Sequence, residues 1–207
     1  MADSLADLGG YDLFPLEPDW STRPTNNYRL MKDLLKYPGT AMSLNSFIDY
    51  VPLSYELGFT FSEEQDMYNM ADFFHEKRGR VHAFWFKAPH REMTLYQGAL
   101  SGATSLYMER NFAHLQYQGH ERIYIDMKSE DLLTRKVLSV TDDETNNRMS
   151  VAVNTSIDRD LTLTNHWSIG KLIFARFSED SLIWQFKAAK LAQLSFTVTE
   201  LVQEYPS

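Results

Sequence analysis

The stretch Leu53-Ser-Tyr-Glu-Leu-Gly-Phe-Thr-Phe-Ser-Glu-Glu-Gln-Asp-Met-Tyr-Asn-Met-Ala-Asp-Phe-Phe-His-Glu-Lys-Arg-Gly-Arg-Val-His-Ala-Phe-Trp-Phe86 decides the fold class. In its first part Leu53, Tyr55, Leu57, Phe59 and Phe61 alternate with Ser54, Glu56, Gly58 and Thr60. A period of two sends one set into a core and the other into water, which is a half-buried strand. Then the period changes. Met67, Met70, Ala71 and Phe74 fall at i, i+3, i+4 and i+7 and make one apolar stripe on a helix, while Phe73 lies off it and is expected to touch a second surface. Ser62 with Gln65 reads as a capping box. Glu63, Glu64 and Asp66 in the first turn, with Lys77 and Arg78 in the last, complement the helix macrodipole. Gly79 supplies a left-handed stop, so the spacing predicts a helix over 63–78. From Arg80 the chain reads as an aromatic strand, closed by Pro89.

Working outward, Thr40 to Phe61 reads mostly as strand. Residues 1–27 carry Pro15, Pro18 and Pro24 with isolated Tyr11, Phe14 and Trp20, the composition of an extended arm with little regular structure. Downstream, the small residues Gly98 to Thr104 read as a boundary. Short strands follow at 112–117, 122–127, 137–140 and 149–153, with Asp142-Asp-Glu-Thr-Asn-Asn147 as a polar hairpin tip. The last strands fall at 171–177, 182–186 and 191–201, and in the final one Leu194, Phe196, Val198 and Glu200 share a face opposite Ser195, Thr197 and Thr199. The expected fold is mainly β with one long α-helix. The expected organisation is an arm over 1–27, a β-sandwich body from 28–98 and 163–207, and a small β-barrel-like insert over 99–162.

With 207 residues, 43% of them hydrophobic and 23% charged, the chain has the composition of a folded soluble protein. The net charge of −8 argues against a general grip on nucleic acid, which needs a basic field. The absence of cysteine removes disulfides, thiolate metal sites and cysteine nucleophiles. The N-terminus, Met1-Ala-Asp-Ser-Leu-Ala-Asp7, has neither the basic nor the apolar region of a signal peptide, and no stretch is long enough to span a membrane. The expectation is a protein made in the cytosol.

Residues that could carry chemistry are scattered. The six histidines lack metal-ligand spacing, and His114 and His120 flank a turn. Asp142, Asp143 and Glu144 lack the alternation and central glycine of a calcium loop. The pairs Glu130 with Asp131 and Asp158 with Asp160 are ordinary in an acidic chain. Neither a nucleophile elbow nor a phosphate-binding glycine loop occurs. The expectation is a protein without catalytic residues, metal or cofactor. A β-sandwich using its aromatics to bind a carbohydrate or receptor is the rival, and a hydrolase built on the carboxylates a third reading.

The segment Asp72-Phe-Phe-His-Glu-Lys-Arg-Gly-Arg-Val-His-Ala-Phe-Trp-Phe86 resembles the helix-to-strand junction of minor tail proteins of long-tailed bacteriophages. In that family an aliphatic or aromatic residue followed by Phe-x-x-x-x-Gly ends a helix before a strand carrying Phe-x-Trp or Phe-Trp. Leu191 to Glu204 is similar to the closing strand of such proteins. Arg122-Ile-Tyr-Ile, Lys136-Val-Leu-Ser-Val-Thr and Lys171 to Asp180 look like a β-rich insert and its return strand. The resemblance implies a tail-tube-like β-sandwich and a distal tail protein of the virion, joining the tube protein to the hub or tip proteins. It implies a homo-oligomeric ring, usually hexameric, whose lumen passes phage DNA, with no membrane partner. Because interface energy concentrates in Arg and Trp, Arg78, Arg80 and Trp85 are the expected subunit contacts. The equal alternative is that Trp85 is core and both arginines are solvated.

Overall fold

The computed structural model describes residues 8–17, 25–28, 32–36, 42–46, 53–88, 93–110, 121–129, 132–188, 191–201 and 204. Among them the protein is mainly β with a single α-helix, as expected. The expected strand at 112–117 and the carboxylates Glu130 and Asp131 lie outside the described residues, as do His114 and His120.

The chain forms two compact units. One takes Pro15–Ala83 with Ala175–Glu204, and the other takes Phe84–Phe174 with the residues up to Phe14. In the first, β1 (Thr25–Tyr28) pairs with β4 (Leu53–Phe61), and β4 pairs with β12 (Leu191–Glu200), all antiparallel. β11 (Trp184–Ala188) pairs with the start of β12, and Ala175–Phe177 pair with its end. β2 (Lys32–Lys36) and β3 (Met42–Ser46) form a separate hairpin.

The alternation in β4 holds from Tyr55 onward: Tyr55, Leu57, Phe59 and Phe61 are buried while Leu53 is half-buried. Ala192, Leu194, Phe196 and Val198 across from them on β12 are buried, as is Glu200 further along β12. Helix α1 (Glu64–Lys77) lays Met70, Phe73, Phe74 and Lys77 into this core. The buried stripe is therefore rotated from the expected one. Phe73 belongs to it, whereas Met67 and Ala71 are only half-buried. The reason is aromatic packing: the Phe74 and Phe73 rings meet Phe177 at 4.9 and 6.3 Å. Contacts continue through Phe196 and Phe59 at 5.2 and 5.1 Å. Both helix ends also differ by a residue. Glu63 is the N-cap and makes no side-chain cap bond, so Ser62 does not close a capping box. The C-cap is Arg78 (φ 52°, ψ 47°), followed by Gly79 at φ 60°.

In the second unit β10 (His166–Phe177) begins by pairing with β7 (Arg122–Met127). β7 pairs with β8 (Leu132–Asp143), β8 with β9 (Arg148–Val153), and β9 with β6 (Ser105–Glu109). β5 (Phe84–Lys87) joins β10. Ile123, Ile125 and Met127 point into one core with Leu106, Met108, Leu133, Val151 and Ile169.

The units divide at 83/84 and 174/175, not at 98/99 and 162/163. Hydrogen bonding explains the shift, because β5 and the first part of β10 have their ladder partners on the second unit's side. The small-residue run after Gln97 is a mostly exposed turn tied by backbone hydrogen bonds to Ile157 and Leu161. Ala99 bridges Leu161, and a Cβ added to Gly98 would lie 2.9 Å from the Leu161 carbonyl oxygen. The described arm residues 8–17 carry little regular structure, as expected. Leu8 and Phe14 are buried, and Leu13 forms a parallel bridge with Trp85. Arg80 to Ala83 are turn and coil, so the aromatic strand starts at Phe84.

Candidate functional site

The three residues expected at an interface fall into different units and different environments. Arg78 and Arg80 lie at the exit of α1 in the first unit, and Trp85 lies in the second. At the helix exit the Arg78 and Gly79 amides donate to the His75 and Phe74 carbonyls, and the His82 amide donates to that of Lys77. These bonds satisfy carbonyls that a helix end leaves open. The Asp180 carboxylate accepts from Arg80 Nε at 2.7 Å, and an Arg80 terminal nitrogen pairs with it at 2.7 Å. Both partners are more than half exposed, at 61% and 56%, so the pair contributes at most about 1 kcal/mol. Arg78 is exposed as well.

Trp85 is core. It is fully buried, and its indole N–H donates to the Leu8 carbonyl at 2.9 Å. Its backbone exchanges two hydrogen bonds with Asp12 and Phe14, both 2.8 Å. The Arg122 guanidinium lies 4.5 Å from its ring centroid, and Phe174 lies 5.0 Å away. An indole enclosed by its own chain presents nothing to a neighbour, so the expectation that Trp85 anchors a subunit contact is corrected. Burying a large aromatic with its N–H satisfied is what an internal core does with tryptophan.

Among the described residues, the candidate carboxylates Asp142, Asp143, Glu144, Asp158 and Asp160 have partners within the chain. At the hairpin tip Arg110 bridges Asp142 and Glu144 at 2.9 and 2.8 Å, and Arg148 holds Asp143 at 2.9 Å. Hydrogen bonds from Asn146 and then Arg148 hold the Asp143 carboxyl below its usual value. Asp160 accepts from the Ser101 amide at 2.8 Å. Asp158 lies 3.8 Å from the buried Arg135, whose guanidinium also donates to the Ser156 and Thr134 carbonyls. Among the described residues no three His, Asp or Glu side chains are placed to hold a metal ion. A shallow groove on the first unit is lined by Gly58, Thr60, Gln185, Gln193 and Ser195, which include neither a nucleophile–base pair nor a carboxylate.

One exposed feature escaped the sequence reading. Trp167 sits where the β7–β10 register shifts between His166 and Ser168, is 64% exposed, and has the Lys128 ammonium 5.0 Å from its ring centroid. A bulge re-aims the side chain it carries, and one extra residue in a strand leaves no periodic trace to read.

Among the described residues, fold and surfaces together define a mainly β protein with one α-helix and a basic helix exit. No family profile matches the chain, and no curated protein matches it.

Proposed function

We propose that the chain is a non-enzymatic ring subunit of the tail tip of a long-tailed bacteriophage. It acts as a distal-tail-type adaptor between tube and hub or tip proteins, made in the host cytoplasm and carried in the virion. The observation that carries this reading is the resemblance of Asp72 to Phe86 to the minor tail proteins. Within that segment a helix ends on Arg78 and Gly79, both left-handed, before the aromatic strand. Left-handed backbone costs an L-residue about 1–2 kcal/mol. An arginine at that position, where glycine would be free of strain, supports a role for its side chain on a neighbouring subunit. The net charge of −8 suits a conduit that must release DNA rather than hold it. Size-exclusion chromatography with light scattering and negative-stain microscopy test the reading on the full chain, alone and with tube and hub proteins. Rings are expected. A chain that stays monomeric with every tail partner overturns it.

A further inference from the structure

We infer that Trp167 and Lys128 form a surface site for acidic sugars. The site stands on the second unit's own geometry and does not depend on ring assembly. Tryptophan is rarely left in water, yet Trp167 is 64% exposed. It follows a hydrogen-bonded turn. The Thr162 amide donates to Asn165 Oδ1 at 2.8 Å, and Asn165 Nδ2 donates to the Asp160 carbonyl at 2.9 Å. A His166 ring nitrogen bonds the Thr162 carbonyl at 3.0 Å, and the Lys128 amide donates to the Asn165 carbonyl at 3.0 Å. The turn thus fixes the backbone before the indole, the Ser168–Asp126 pairing fixes it after, and the Lys128 side chain is the part a ligand must reorder.

Lys128 is the second half of the site. In a chain of net charge −8, its ammonium has no carboxylate within ion-pair distance among the described residues and rests over the indole face instead. The nearby Asp126 is occupied, paired with Lys87 at 3.3 Å. An exposed cation–π contact is weak, and a lysine on its flexible stem exchanges it readily for a carboxylate. The ligand that matches both groups carries an anion beside a face of C–H groups. The partly positive C–H groups of a pyranose lie on the electron-rich indole face, and a uronic-acid carboxylate meets the ammonium. Trp167 and Lys128 are both exposed, which leaves the indole accessible to a sugar ring laid flat.

Isothermal titration of the full chain with trigalacturonate, and with its neutral methyl ester, tests the site. The acid is expected to bind saturably and about tenfold more tightly than the ester, the scale of one charge-assisted hydrogen bond, with the gap narrowing in salt. Lys128→Gln should bring acid and ester to the same affinity, and Trp167→Ala should abolish both while its melting curve stays with the parent's. Failure of trigalacturonate to bind overturns the inference. So does equal binding of acid and ester by the parent, or parental binding by Trp167→Ala. Ring assembly measured on the same Trp167→Ala protein separates this outcome from failure of the tail reading.

Discussion

Glycine 170 shows how little room a single position has. A Cβ placed there would lie 2.7 Å from the Tyr124 ring. Gly170→Ala therefore forces the tyrosine aside and is expected to cost about 1–3 kcal/mol, read as a lower Tm. Combining it with Tyr124→Ala should give a smaller loss than the two single costs added, because both act on one contact. Arg78 is the opposite case, a residue whose own backbone carries strain. Arg78→Gly relieves a left-handed penalty of about 1–2 kcal/mol but adds freedom to the unfolded chain. A gain of roughly 0.5–1 kcal/mol is expected by denaturant melts. At Asp143 the folded carboxyl titrates below its ordinary value of 3.8. Its contribution is thus complete above that value and is lost as pH falls through the lower, folded one. Amide protection factors at residues 143–148, with the intrinsic pH dependence of exchange divided out, should fall only under those acidic conditions, and Asp143→Asn should remove the dependence.

At the scale of elements, the aromatic series from α1 to β4 governs the helix. Phe74→Ala and Phe73→Ala should each cost about 3–5 kcal/mol, since both rings are buried against Phe177. Met67→Ala should cost clearly less, because Met67 is half-buried. Ser62→Ala should change Tm little, since neither Ser62 nor Glu63 makes a side-chain cap bond that the structure holds. These four melting curves distinguish the observed stripe from the one that spacing predicts. Helix existence and the β4 and β12 alternations were legible because each is a local periodicity imposed by one apolar face. The stripe's exact rotation was not, because Phe177 and Phe196, more than a hundred residues away, choose which helical neighbours they take.

For the whole molecule, the tail-tip reading places assembly contacts at Arg78 and Arg80. Charge reversal of both is expected to shift the light-scattering mass from ring toward monomer while the melt stays cooperative. Arg80 already pairs with Asp180, so the reversal is made together with Asp180→Arg, which keeps that internal pair in inverted form. Normal rings from this triple variant place the contacts elsewhere. Arg78→Gly should weaken assembly while raising stability, a combination that a purely structural arginine does not produce.

Local chemistry was enough to establish a mainly β chain with one helix, because alternation, the apolar stripe and the glycine after Arg78 are written in neighbouring residues. The hairpin tip at 142–147 was legible for the same reason: the strands run to Asp143 and from Arg148, with a short 3-10 turn between. What tertiary structure decided is long-range pairing. Whether Trp85 is anchor or core depended on Leu8 and Arg122 closing around it. Where the units divide depended on which strands β5 and β10 chose as partners. The exposure of Trp167 depended on a register shift against β7. Each is set by hydrogen bonds and packing between residues far apart in the chain, whose energies leave no local pattern to read.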